Sequence, residues 1–67
     1  MSVLSNNLKV LRNKQQLTQF ELSKKLKLDR ATYASYETGR TCPSIPTLIN
    51  LADIFNVTVD QLIRKMD

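Results

Sequence analysis

The side chains of this chain that can do chemistry are binders, not reagents. There is no histidine to serve as a general base, and one glycine, Gly39, is too few for a loop that cradles phosphates. The single cysteine, Cys42, has no partner for an internal disulfide, and without histidine the common zinc-site spacings cannot be written. With no nucleophile placed beside a base, the expectation is a non-enzyme with no catalytic residue, metal, cofactor or small-molecule substrate. What remains is positive charge: ten Lys and Arg stand against six Asp and Glu, a net +4. It is uneven, since residues 1–40 hold eight cations and three acids, and residues 41–67 two cations and three acids. Such a field suits a polyanion, either nucleic acid or an anionic membrane surface. If the partner is DNA, Arg30 has the sharpest chemistry available. Its guanidinium can donate two bonds to O6 and N7 of a guanine, a contact worth about 1–3 kcal/mol of base discrimination.

Elements must hold such a residue in place, and the chain is short for that task. Sixty-seven residues allow one small domain, 1–67. A core of this size supplies only about 3–5 kcal/mol, so a helical pack, a dimer or both must carry the stability. The composition, 42% hydrophobic and 24% charged, is that of a globular protein in water. No apolar run exceeds two residues, which leaves no membrane span or signal-peptide core, and a cytoplasmic protein is expected.

Apolar spacing is helical almost throughout, and nothing alternates with the two-residue period of a strand. The reading is all-α, with five helices. The first runs from about Ser5 to Gln15, with Leu4, Leu8 and Leu11 in one stripe that Arg12 borders. The second opens at Thr18 with the capping box T-Q-F-E and turns Leu22 and Leu26 inward. The third opens at Asp29, sets Tyr33 and Tyr36 on its inner side and stops at Gly39. Ser44 caps the fourth, which tolerates Pro46 in its first turn and faces Leu48, Leu51, Ala52 and Phe55 to the core before Asn56 ends it. A second capping box, T-V-D-Q at Thr58, opens the fifth, with Val59, Leu62 and Ile63 apolar.

Two short helices joined by a turn of about three residues, over about 18–38, make a helix-turn-helix. In that motif the second helix enters the major groove N-terminus first, which points Arg30, Ala31 and Thr32 at bases. Five segments then line up in order: N-L-K-V-L-R at 7–12, L-T-Q-F-E-L at 17–22, Y-E-T-G at 36–39, P-S at 43–44 and L-A-D-I-F-N-V-T-V-D-Q-L at 51–62. Together they resemble the lambda-repressor-like, Cro/cI-type helix-turn-helix family, also called the xenobiotic-response-element (XRE) family, from about Asn7 to Ile63.

The resemblance implies a compact five-helix DNA-binding domain and assigns roles to matching positions. Gln19 is similar to the family glutamine that bonds a phosphate and braces the recognition helix; a solvated helix-start residue is its bland alternative. Arg30, Ala31, Thr32, Ala34 and Ser35 fall on the base-contacting face. Ala31 can only touch a thymine methyl, Ala34 allows close approach, and Thr32 and Ser35 suit either a base or a phosphate. Asn13, Lys14, Lys24, Thr38, Arg40 and Thr41 are candidates for the phosphate backbone, Thr38 and Arg40 foremost, though each alone is equally at home as a solvated residue. Arg12 and Glu37 resemble the family's structural ion pair between the first helix and the end of the third. Tyr33 and Tyr36 read as core, not as base-stacking platforms.

Three positions depart from the family pattern. Lys27 stands where glycine is usual in the turn and must accept a left-handed conformation or alter the turn. Ser23 replaces a small alanine, and Phe20 occupies an outward position, as a folded-over aromatic or a contact for another chain. The function expected is sequence-specific transcriptional regulation, by a repressor binding double-stranded DNA at an inverted repeat. One recognition helix covers too few bases to be selective, so a homodimer is expected. Val57, Val59, Leu62, Ile63 and Met66 are its candidate surface, with burial in the monomer's own core the alternative for most of them. The rivals are an antitoxin or protein-interaction module of the same fold, which needs a partner chain, and a membrane-surface peptide. The second is weakened because the cations are scattered over several helices instead of lining one face.

Overall fold

A computed structural model describes residues 2–65, and five α-helices make up its regular structure: α1 (Ser2–Lys14), α2 (Gln19–Lys25), α3 (Arg30–Thr38), α4 (Ile45–Phe55) and α5 (Val59–Ile63). The all-α expectation holds, with no strand among the described residues. α1 starts three residues before the expected Ser5 and stops at Lys14. The added N-terminal turn carries Leu4, the first residue of the apolar stripe, which is anchored in the core.

Each later helix begins where a side chain satisfies its exposed amides. Thr18 accepts from the Glu21 N–H while Glu21 returns a bond to the Thr18 N–H, and Thr58 and Gln61 repeat the arrangement. Asp29 and Ser44 cap α3 and α4 singly. The helix ends share one device. At Gln16, Lys27, Gly39 and Asn56 the backbone enters the left-handed region, with φ of 59°, 60°, 78° and 57°. At each, the next N–H reaches back five residues to a helix carbonyl: Leu17 to Arg12, Leu28 to Ser23, Arg40 to Ser35 and Val57 to Ala52. Lys27 therefore does accept the left-handed conformation, and the Leu28 N–H closes the turn on Ser23. Gln16 does the same without any glycine or asparagine to announce it.

The core is made of the stripes the spacing picks out: Leu4, Leu8 and Leu11 of α1, Leu22 and Leu26 of and after α2, Tyr33 and Tyr36 of α3, Leu51, Ala52 and Phe55 of α4, and Leu62 of α5. Tyr33 and Tyr36 meet edge to face, with centroids 6.1 Å apart. Ser23 is buried between α2 and α3, its hydroxyl donating to the Phe20 carbonyl at 2.7 Å, so the larger side chain is accommodated with its polar atom satisfied. Leu62 is fully buried within the single chain. It is accordingly withdrawn from the candidate dimer surface, because a residue that fills the monomer core is not available to a partner.

One buried polar side chain ties the ends of the chain together. Asn7 Nδ2 donates to the carbonyls of Leu62 at 2.8 Å and Arg64 at 2.7 Å, closing the C-terminal end of α5 against α1. The carbonyls left open at the end of a five-residue helix thus find their donor more than fifty residues away.

Candidate nucleic-acid interface

α1, α2 and α3 meet around a single carboxylate. Glu37, near the end of α3, is buried and accepts four hydrogen bonds. Arg12 Nε donates to Oε2 at 2.6 Å and Nη2 to Oε1 at 3.1 Å, a forked pairing of the two planar groups. The Tyr33 hydroxyl donates to Oε2, and Gln19 Nε2 donates to Oε1 at 3.1 Å. Arg12 also spends Nη1 on the Leu17 carbonyl at 2.8 Å, which fixes the loop leading into α2.

The electrostatics follow from that geometry. Burial alone would raise the Glu37 carboxyl, but donation from Arg12, Tyr33 and Gln19, with the Arg12 charge, outweighs it and holds the group below the ordinary carboxylate range. Arg12 is raised by its bond to Glu37. Burial, and then the neighbouring carboxylate, push the Tyr33 phenol far up, so it stays a neutral donor. Arg12 and Glu37 are thus a structural ion pair whose polar atoms are committed inside the fold.

The network continues to the surface through Gln19. With Nε2 given to Glu37, its Oε1 faces the other way and accepts from Arg30 Nη1 at 3.2 Å. Arg30 is exposed at the first position of α3, and this bond leaves its Nε and Nη2 uncommitted. A carboxylate in the core therefore orients an amide, and the amide orients the guanidinium.

On the solvent side of α3, Arg30, Ala31, Ala34, Ser35, Thr38 and Arg40 line an open depression of about 240 Å³. Four of the five residues expected to face bases share it with the two foremost backbone candidates. Thr32, the fifth, is exposed in the first turn of α3, where its N–H is held by the Asp29 carboxylate. That bond keeps the Asp29 carboxyl below its ordinary pKa. Ser35 is half-buried; its hydroxyl bonds the Thr32 carbonyl at 2.6 Å and also meets the Thr41 hydroxyl, which draws Thr41 to the rim. Thr38 Oγ1 donates to the Ser35 carbonyl at 3.1 Å.

Three backbone candidates stand apart from this cluster. Asn13 and Lys14 are exposed at the end of α1, and Lys24 is exposed on α2; none of them hydrogen-bonds to α3. Lys24 Nζ lies over the ring of Phe20, 5.2 Å from its centroid, which gives that exposed aromatic a partner on its own helix. Of the dimer candidates other than Leu62, Val57 and Val59 are half-buried against the core, Ile63 is exposed, and Met66 lies outside the described residues. Two participants were not assigned their polar roles from spacing. The Tyr33 hydroxyl belongs to the Glu37 network although the ring reads as core, and Asn7 was quoted only as part of a motif. A tyrosine four residues before a glutamate on one helix face is the signal that could have found the first.

A helix-turn-helix family model matches residues 8–62. The HTH-type transcriptional regulator YqaE of Bacillus subtilis (strain 168) is 39% identical over 62 residues, which are 92% of this chain and 53% of that protein. AnsR, an HTH-type transcriptional regulator of the same organism, is 42% identical over 40 residues, 60% of this chain and 34% of that one. The chain thus spans about half or less of the length of these curated relatives. Among solved structures, the SOS-response transcriptional repressor LexA from Eubacterium rectale superposes with a TM-score of 0.90 at 28% identity, covering 97% of this chain and 69% of that one. A transcriptional regulator from Listeria innocua gives 0.87 at 30% identity, covering 96% and 60%.

Proposed function

The chain belongs to the helix-turn-helix family matched over residues 8–62, and on that premise we propose that it is a DNA-binding transcriptional regulator. In this reading it is a cytoplasmic repressor that occupies an inverted-repeat operator as a homodimer, each copy laying α3 in the major groove of one half-site. The observation that carries it is the exposed α3 face, where Arg30, Ala31, Ala34 and Ser35 share one depression with Thr38 and Arg40 and where Arg30 is oriented by Gln19.

Roles follow from side-chain chemistry. Arg30 offers its uncommitted donors to a guanine, while Ala31, Thr32, Ala34 and Ser35 set how closely α3 approaches and which methyl or acceptor it tolerates. Thr38, Arg40 and Thr41 meet the flanking phosphates, with Asn13, Lys14 and Lys24 as outer contacts. Gln19 uses its second amide hydrogen on a phosphate while keeping its bonds to Glu37 and Arg30. With few long polar side chains on the face, part of the selectivity comes from DNA shape and deformability. Repression is occupancy of a promoter and needs no chemical step.

Selection of a random duplex pool by the purified chain, with sequencing of the retained molecules, tests the reading. It predicts enrichment of an inverted repeat with half-sites about one helical turn apart. Retention without any shared sequence, abolished by salt, would contradict it and favour the module of the same fold that acts through a partner chain.

A further inference from the structure

α4 carries an apolar face that the fold leaves uncovered. Ile45 is 73% exposed and Ile49 is 49% exposed. At i and i+4 they lie on one side of the helix, flanking the Leu51, Ala52 and Phe55 side that fills the core, with Ala52 next along the same stripe. Isoleucine is among the side chains most often buried, so two together on one exposed helix face mark a contact surface. We infer that this face of α4, centred on Ile45 and Ile49, is where a second copy of the chain docks. The inference deepens the homodimer reading above and rests on it.

Charge identifies the occupant. Residues 41–63 contain no Lys or Arg and only two acids, Asp53 and Asp60, whereas residues 1–40 hold eight of the ten cations. Two copies meeting through α1, α2 or α3 would oppose like charge and cover the groups that serve phosphates. Two copies meeting through α4 bury isoleucine against isoleucine with little charge nearby. Position agrees with this. The segment from Gly39 to Ser44, carrying Arg40 and Thr41 at the edge of the recognition face, leads directly into Ile45. A partner seated there adjoins the recognition face, and on the homodimer reading the second half-site is read only when it is present. The C-terminal surface offers less, because Leu62 is core and Val57 and Val59 are half-buried, which leaves Ile63.

The patch is small. A stable interface buries about 1,200–2,000 Å² in total, and a few residues around two isoleucines fall short of that, so the free pair is weak and DNA completes it. Sedimentation equilibrium of the whole chain without DNA, from about 10 µM to 1 mM, is expected to show a monomer–dimer equilibrium at the weak end of protein association. Methyl NMR over the same dilution should move Ile45 and Ile49 and leave Ile63 still. Ile45→Lys with Ile49→Lys should abolish the association with an unchanged helical circular dichroism spectrum, since both side chains are exposed. Ile63→Lys should leave it intact. A chain that stays monomeric at 1 mM, association that survives the double substitution, or loss with Ile63→Lys alone would overturn the inference. Self-association through α4 in a chain that selects no DNA sequence would keep this surface and sink the regulator reading instead.

Discussion

Glu37 is the residue on which the most geometry converges. Its carboxylate fills its acceptor positions with Arg12, Tyr33 and Gln19, and through Gln19 it sets the direction of Arg30. The pairing of Arg12 with Glu37 was legible from the family pattern. That Gln19 braces the recognition helix was implied by the same resemblance; that the brace ends on Arg30, eleven residues away, was not, because it depends on how closely the turn folds α2 against α3. A pH dependence follows. The folded carboxyl lies below its ordinary value of 4.5, so the unfolded chain binds the proton more tightly. The stability contributed is complete above that value and is lost as pH falls through the lower, folded pKa. Glu37→Gln should cost about 3 kcal/mol near neutral pH, the low end for breaking a buried pair, because the Arg12 side chain is still 14% exposed. Urea midpoints at pH 7 and pH 3.5 check this. The wild-type chain should lose stability on acidification and the variant should lose less; equal losses would remove Glu37 from the acid limb.

At the scale of elements, helix beginnings were readable and helix ends were only half so. A cap is local chemistry: Thr18, Asp29, Ser44 and Thr58 each bond an N–H three residues on, and the pattern is visible in any short window of the sequence. The left-handed ends are announced by Gly39 and Asn56 but not by Gln16 or Lys27, where the packing of the next helix imposes the conformation on a residue with a Cβ. Lys27→Gly and Gln16→Gly should therefore each stabilise the fold by about 1 kcal/mol. Asn56→Gly should gain only a few tenths, since asparagine already tolerates the region. Thermal denaturation of the three variants separates these outcomes, and a loss of stability at Lys27→Gly would show that its side chain does more than occupy the turn. Asn7→Ala should cost about 1–3 kcal/mol, because it strips the buried donor from the end of α5. Hydrogen exchange should show α5 opening before the other helices.

The whole molecule measures 28 × 23 × 21 Å and divides by charge. Cations gather in the part built from α1, α2 and α3, and the α4–α5 part carries acids and exposed isoleucine. That asymmetry was legible as arithmetic on the sequence. Which apolar residues stay outside was not, since Leu62 and Ile63 are neighbours of like type and only the packing against α1 separates core from surface. At this scale Arg40 acts as one charge in a field. Arg40→Ala should weaken binding to all duplexes about equally and reduce the slope of log affinity against log salt by about one unit. Weakening confined to some sequences would move Arg40 from the backbone to the bases.

In the proposed mode of binding, α3 reads bases through an Arg30 held in place by Gln19. Its most direct test is to repeat the random-duplex selection with Arg30→Ala beside the wild-type chain. The same inverted repeat is expected with one position in each half-site relaxed, the lost discrimination there amounting to about 1–3 kcal/mol. An unchanged motif, or a uniform weakening with every position kept, would place Arg30 on the phosphates and contradict it.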